Sequence, residues 1–212
     1  IGLNYNTAEN GSLLTAGNPF VMVLVAWLLE GDLATPRQLL GLVLSFCGVM
    51  TVVAHGSPAT LLEFHFNPGD LLVVSSIPIW CVYTVLLRRR PREIDGLAFL
   101  FLLTPIGLLT LAPAFAYEEI FVRTPVWSWG VVATIVYIGI SASAGSYMLW
   151  NRGVELIGPN RAAFTNPFQP MFATALAILL LGEELHLYHA IGFAVIIAGW
   201  YLTSGLRLRP VA

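Results

Sequence analysis

Apolar positions in this chain run on without interruption rather than alternating. Seven such stretches, at about 11–30, 37–54, 70–88, 95–116, 128–150, 160–182 and 188–206, are each roughly 18–23 residues long. At 1.5 Å per residue a helix of that length crosses the ~30 Å hydrocarbon core. No segment alternates with period two over several strands, which argues against a barrel. The pattern predicts an all-α integral membrane protein. Residues 1–8 read as the tail of a further helix. The opening Ile1-Gly2-Leu3 has no signal-peptide layout and reads as a fragment or trimmed start.

Composition agrees with lipid as the solvent. The chain is 57% hydrophobic and 10% charged, with mean hydropathy +0.79; a soluble domain carries about 25% charged residues. Cys47 and Cys81 both lie in apolar runs and form no disulfide framework. The only dense basic stretch is Arg88-Arg89-Arg90-Pro91-Arg92, too short for a nucleic-acid-binding face.

Arginine placement orients the spans. If the chain changes sides at every helix, Arg37, Arg88, Arg89, Arg90, Arg92, Arg152, Arg161, Arg207 and Arg209 fall on one side and Arg123 alone on the other. That bias marks the first side as cytoplasmic. The C-terminus is then cytoplasmic, in the cytoplasmic (inner) membrane.

Two segments repeat. Shifting 18–52 by 151 places Pro19 on Pro170, Ala26 on Ala177, Gly31 on Gly182, Asp32 on Glu183, Gly41 on Gly192 and Gly48 on Gly199. The alternation makes the copies point in opposite directions, five helices apart. An odd step of this kind implies two inverted five-helix repeats, ten helices in full, of which about seven and a stub are present. The expected division is 1–54 for the end of the first repeat, 55–69 for an outer linker, 70–206 for the complete second repeat and 207–212 for a cytoplasmic tail. About 80 residues would be missing from the front if the halves are equal in length. The tripeptide Asn-Pro-Phe recurs at 18–20 and 166–168, an offset of 148. That register loses the glycine and acid matches, so 151 is preferred and the second tripeptide reads as coincidence.

These residues carry a resemblance to the drug/metabolite transporter superfamily, EamA type. Its supports are the doubled proline, acid and two glycines, the stretch YMLWNRGVELIGPNRAAFTN from Tyr147 to Asn166, and Gly69-Asp70-Leu71-Leu72. The resemblance covers essentially the whole chain. It implies ten helices in two inverted repeats and export of small metabolites.

Candidate chemistry is sparse. Pro19 and Pro170 within helices would free the carbonyls of Thr15 and Asn166, to bind substrate, to let the helix flex, or only to shape a kink. Pro167 should make the sixth helix start irregularly. The amides Asn18, Asn166 and Gln169 either line a cavity or join helices. Trp80 with Tyr83, and Tyr147 with Trp150, are three apart and share faces. They suit an organic substrate or an interfacial belt. Gly41, Gly48, Gly192 and Gly199, and the small residues Gly139, Ser141, Ser143 and Gly145, read as close-packing faces. Glu155 with Arg152 and Arg161 reads as a solvated loop pair. Glu30, Asp32, Glu183 and Glu184 end helices, where an acid opposes the dipole and serves structure or gating.

His55, His65, His186 and His189 fall at outer loops without a third ligand fixed by spacing, so no metal is expected. Neither Gly-x-Ser-x-Gly, His-Glu-x-x-His nor a Walker loop occurs, and no cofactor is expected. The expected partners are the lipid bilayer, a small-molecule substrate and a coupling ion or exchange. The reading is a secondary active transporter exporting small metabolites, such as amino acids or amphipathic compounds, by alternating access. The alternative is a membrane-embedded lipid-handling enzyme or scaffold, which would need a polar cluster at one interface.

Overall fold

The computed structural model describes residues 14–57, 68–91, 93–94, 96–121, 127–182 and 184–204. The expected stub, most of the outer linker with His65, Arg92, Arg123, Glu183 and the tail with Arg207 and Arg209 lie outside these residues. Seven apolar helical spans are described: α1 Asn18–Glu30, α2 Pro36–Val53, α3 Pro68–Leu86, α4 Gly96–Phe121, α5 Trp129–Ile157, α6 Pro159–Leu180 and α7 Leu187–Ser204. All except α1, with 13 residues, are long and apolar enough to cross a membrane.

Their ends differ from the pattern reading for local reasons. The first run breaks at Ala16-Gly17, where Gly17 caps α1 and donates its N–H to Leu14 O at 3.2 Å. α2 opens on a capping box: the Thr35 hydroxyl accepts from Gln38 N–H at 3.3 Å and Gln38 Oε1 accepts from Thr35 N–H at 2.8 Å. α5 continues past Trp150 to Ile157, because only Gly158 (φ 85°) and Pro159 break it. It also widens into a π-helix over Ile138–Gly145. α6 is interrupted: a helix at Pro159–Ala163, a turn over 164–167, then Phe168–Leu176 and a π turn at Ala177–Leu181.

α1 and the π turn of α6 stop in the same way. Gly31 and Gly182 are left-handed caps with φ 70° and 71°. After α1, Gly31 N–H donates to Trp27 O at 2.9 Å and Asp32 N–H to Ala26 O at 3.4 Å, which absorbs orphan carbonyls. A Cβ on either glycine would touch nothing within 4 Å, so only the backbone resists it. Gly31→Ala and Gly182→Ala should therefore each lower stability by about 1–2 kcal/mol, read as a shift in the midpoint of unfolding in mixed micelles. An unchanged midpoint would remove this account of the caps.

Two compact units are distinguished, residues 1–86 with 157–212 and residues 87–156. In the first, α2 and α7 pack antiparallel along facing glycines. A Cβ on Gly41 would lie 2.5 Å from Gly199 O, and one on Gly48 would lie 2.8 Å from Gly192 O. Between these points Ser45 Oγ–H donates to Ile196 O at 3.3 Å, and Ser45 is 1% exposed. Lipid tails are as apolar as leucine, so the pair is held by contact and this hydrogen bond rather than by expulsion of water. Alongside, Met22, Val25 and Ala26 of α1 close over Ile77, Cys81 and Val85 of α3, with Ala163 from the start of α6.

The second unit holds α4 and most of α5. The membrane-crossing windows of these two helices bury no residue. At one end of the unit, a 3-10 turn at Leu87–Arg89 leads into Arg90, which pairs with Glu155 near the end of α5.

Candidate functional site

α1 and α3 bring the first candidates together. Asn18 starts α1, and its Oδ1 accepts a hydrogen bond from the Cys81 thiol at 3.2 Å. Cys81 is fully buried, and its role as the partner of Asn18 carries no signal in the sequence. One residue before it, Trp80 packs against the α1–α3 core. Its ring lies 5.5 Å from that of Tyr83, tilted by 37°. Both aromatics are half-buried. An amide, a thiol and two polar-tipped aromatics thus occupy one stretch of the α1–α3 contact.

The prolines sit differently from the expectation. Pro19 is at the second position of α1, and Pro170 is in the first turn of the Phe168–Leu176 helix. A proline there removes an N–H that has no helical partner anyway. Nor is the Asn166 carbonyl free: it accepts from Gln169 N–H at 2.9 Å. The Ala163 carbonyl takes Asn166 N–H at 3.0 Å, a three-residue turn that makes the irregular start expected from Pro167. Asn166 is half-buried and Gln169 exposed, linked through the backbone of this turn. The prolines inside described helices are instead Pro78 of α3 and Pro105 and Pro113 of α4. Pro78 lies two residues before Trp80, and its apolar neighbours give it no distinguishing pattern in the sequence.

The phenylalanine of each Asn-Pro-Phe meets an aromatic ring of the helix that follows. Phe20 meets Phe46 of α2 edge-on at 5.5 Å, and Phe168 meets Trp200 of α7 edge-on at the same distance. The copies agree at offset 151 from their cap glycines onward, while the second is three residues longer between its phenylalanine and its cap. The π turn at Ala177–Leu181 takes up part of that excess.

Polar contacts cluster at the helix ends. Asn160, 7% exposed, donates from Nδ2 to Asp32 Oδ2 at 2.9 Å, joining the α1–α2 loop to the start of α6. Its Oδ1 is buried without a hydrogen bond among the described residues. At the opposite end of the α2–α7 pair, His55 lies edge-on to Tyr188 at 5.8 Å. His189 Nδ1 accepts from His186 N–H at 3.1 Å and so closes the first turn of α7. Among the described residues no three His, Cys, Asp or Glu gather as a metal site.

In the second unit, Tyr147 is 39% exposed on α5. Glu155 pairs with Arg90 and, at 3.1 Å, with Arg152. The expected contact with Arg152 is present; Arg90 joins it, with a side chain only 11% exposed.

Apolar helices long enough to cross a membrane and a close glycine-mediated contact define a multi-pass integral membrane protein, without a metal-binding cluster among the described residues. The model of the EamA-like transporter family matches residues 67–205, and the chain belongs to that family. Its members are membrane transporters, not enzymes. The chain is 30% identical over 207 residues to an uncharacterized transporter of Archaeoglobus fulgidus, covering 96% of this chain and 69% of the relative. It is 24% identical over 213 residues to the uncharacterized transporter YyaM of Bacillus subtilis, covering 99% and 68%. Against YetK of the same organism it is 23% identical, covering 100% and 64%. The chain thus spans about two thirds of the length of these relatives. One solved crystal structure shares the fold at a TM-score of 0.76 and 20% identity, over 97% of this chain and 71% of that one.

Proposed function

We propose that the chain is the larger part of a secondary active transporter that exports small metabolites by alternating access. Two inverted five-helix repeats, ten helices in full, would form it, with 70–206 as the complete second repeat, 1–54 as the end of the first, 55–69 as an outer linker and 207–212 as a cytoplasmic tail. The observation that carries the reading is the self-complementary contact of α2 with α7. Shift Gly41 forward and Gly199 back by 151, and their contact becomes that of Gly192 with Gly48, which also exists. Ser45 and Ile196, 151 residues apart and in contact, exchange places, so that the residue pair maps onto itself although only Ser45 has a hydroxyl to donate. A contact that is unchanged when its halves are exchanged is what a two-fold axis in the membrane plane produces.

The expected orientation, with the C-terminus in the cytoplasm, draws support from three contacts. Asp32 with Asn160 and Arg90 with Glu155 each join segments assigned to the cytoplasmic side, and His55 with Tyr188 joins segments assigned to the outer side. Asn18, Trp80, Tyr83, Asn166 and Gln169 are proposed to line the substrate path of the first unit, with Pro19 and Pro170 setting where its helices begin. Tyr147 is proposed to touch substrate from the second unit. An amino acid or amphipathic compound, moved by an ion gradient or by exchange, suits aromatic faces and neutral amides.

Reconstituted full-length protein should move a radiolabelled amino acid or amphipathic metabolite across vesicles. Trp80→Ala should cut that flux at least tenfold while leaving the helical signal intact. No flux, together with turnover of a lipid or acyl substrate, would replace this reading with the enzyme alternative.

A further inference from the structure

We propose that the hydrogen bond between Asp32 and Asn160 is the latch of a lid, the short helix Pro159–Ala163, which closes over the α1–α3 stretch that holds Asn18 and Cys81. The lid is bounded by breaks in the backbone. Gly158, with φ 85°, precedes it, and the 164–167 turn follows it. That turn is closed by local hydrogen bonds, Thr165 N–H to Ala162 O and Asn166 N–H to Ala163 O, both at 3.0 Å. The helix can therefore pivot at either end without unpairing a long helical ladder.

One face of the lid is apolar. Pro159, Ala162 and Ala163 are buried, and the helix packs on α1. Ala163 belongs to the same cluster as Cys81, whose thiol meets Asn18 Oδ1. Cys81 is 0% exposed, so lifting the helix removes part of what covers it.

The polar fastening is made to be released. Asn160 Nδ2 donates to Asp32 Oδ2 at 2.9 Å, and Asp32 is held by its own N–H, which donates to Ala26 O in the cap of α1. Asp32 is exposed, so water competes for its carboxylate. Asn160 is 7% exposed, and its Oδ1 is buried with no hydrogen bond among the described residues. Closing the lid leaves that acceptor unmet. Opening it returns the acceptor to water, which lowers the cost of release. The charge-assisted bond to Asp32 and the packing of Ala163 hold the lid shut against this. Its place as the cytoplasmic gate rests on the alternating-access reading and the orientation given above.

Cys81 is the reporter. The full-length protein, with every other cysteine replaced by alanine, is reconstituted in vesicles and labelled with a membrane-impermeant maleimide from either face. Asp32→Ala and Asn160→Ala should each speed the labelling of Cys81 about tenfold, the low end for a hydrogen bond to a charged group because Asp32 is exposed. The exchanged pair D32N/N160D, in which the amide at 32 can donate to the carboxylate at 160, should return the rate to within about twofold of the parent. Acceleration should appear from the cytoplasmic face. An unchanged rate in Asp32→Ala would overturn the latch. So would a fast rate that the exchanged pair fails to slow, or equal acceleration from both faces, which would mean general loosening. Acceleration from the outer face alone, reversed by the exchange, would uphold the latch and overturn the orientation instead.

Discussion

Gly48→Leu is expected to part α2 from α7 and to cost about 3 kcal/mol or more, with Gly41→Leu close behind. The position of a Cβ at Gly48 is 2.8 Å from Gly192 O and from two atoms of Ile196, one of them backbone. At Gly41 it is 2.5 Å from Gly199 O. Gly192 O, Ile196 N and Gly199 O among these neighbours are helix backbone, which cannot turn aside as a side chain can. Even alanine must push the helices apart, at about 1–3 kcal/mol, and leucine adds volume for which no space exists. Separation also stretches the 3.3 Å bond from Ser45 Oγ to Ile196 O and strands a buried hydroxyl. The control is internal. Gly107 on α4 and Gly153 on α5 have nothing within 4 Å of a would-be Cβ. There alanine should be neutral or should stabilise by up to about 1 kcal/mol, because it restricts the unfolded chain. Reversible unfolding in mixed micelles reads both. Equal effects at Gly41 and Gly153 would mean that the glycine contact does not hold the helices together.

Glu155→Gln should cost about 2–3 kcal/mol, because it strips Arg90 of its carboxylate. The Arg90 side chain is 11% exposed, so the substitution leaves a charge largely withdrawn from water. A fully buried orphaned charge costs about 3–5 kcal/mol; Glu155 is 25% exposed, so water recovers part of this. Arg152→Gln should cost below about 1 kcal/mol, since its side chain is 68% exposed. Adding Arg90→Gln to Glu155→Gln should restore a large share of the loss, because no charge is then left without a partner. Urea or detergent unfolding of the wild type, the two single variants at positions 90 and 155 and their combination gives the cycle. A ranking with Arg152→Gln as costly as Glu155→Gln would mean that Arg90 is not the buried partner.

Much of the fold is legible in the sequence. Apolar length predicts the spans, and glycines seven apart on two helices mark faces built for close approach. The pattern misleads at positions whose meaning depends on where a helix starts. Pro19 and Pro170 look like mid-helix breaks because the apolar runs continue on both sides of them, yet each helix begins only one or two residues earlier. Arg152 is legible as a partner for Glu155, three residues away, because local charge is what a sequence displays. The other partner, Arg90, is 65 residues away. The Asp32–Asn160 bond, across 128 residues, leaves no sign at all.

By itself the sequence determined that this chain crosses a membrane as helices. In hydrocarbon every backbone N–H and C=O must be satisfied within its own segment, so uninterrupted apolarity of this length leaves a helix as the answer. Only the tertiary structure decided which helix meets which and which polar groups pair. Lipid tails and leucines are equally apolar, so a pattern of hydrophobic residues cannot distinguish a face turned to lipid from one turned to a neighbour. That choice rests on shape, in the bare backbones of Gly41, Gly48, Gly192 and Gly199, and on a few hydrogen bonds between residues far apart in the chain.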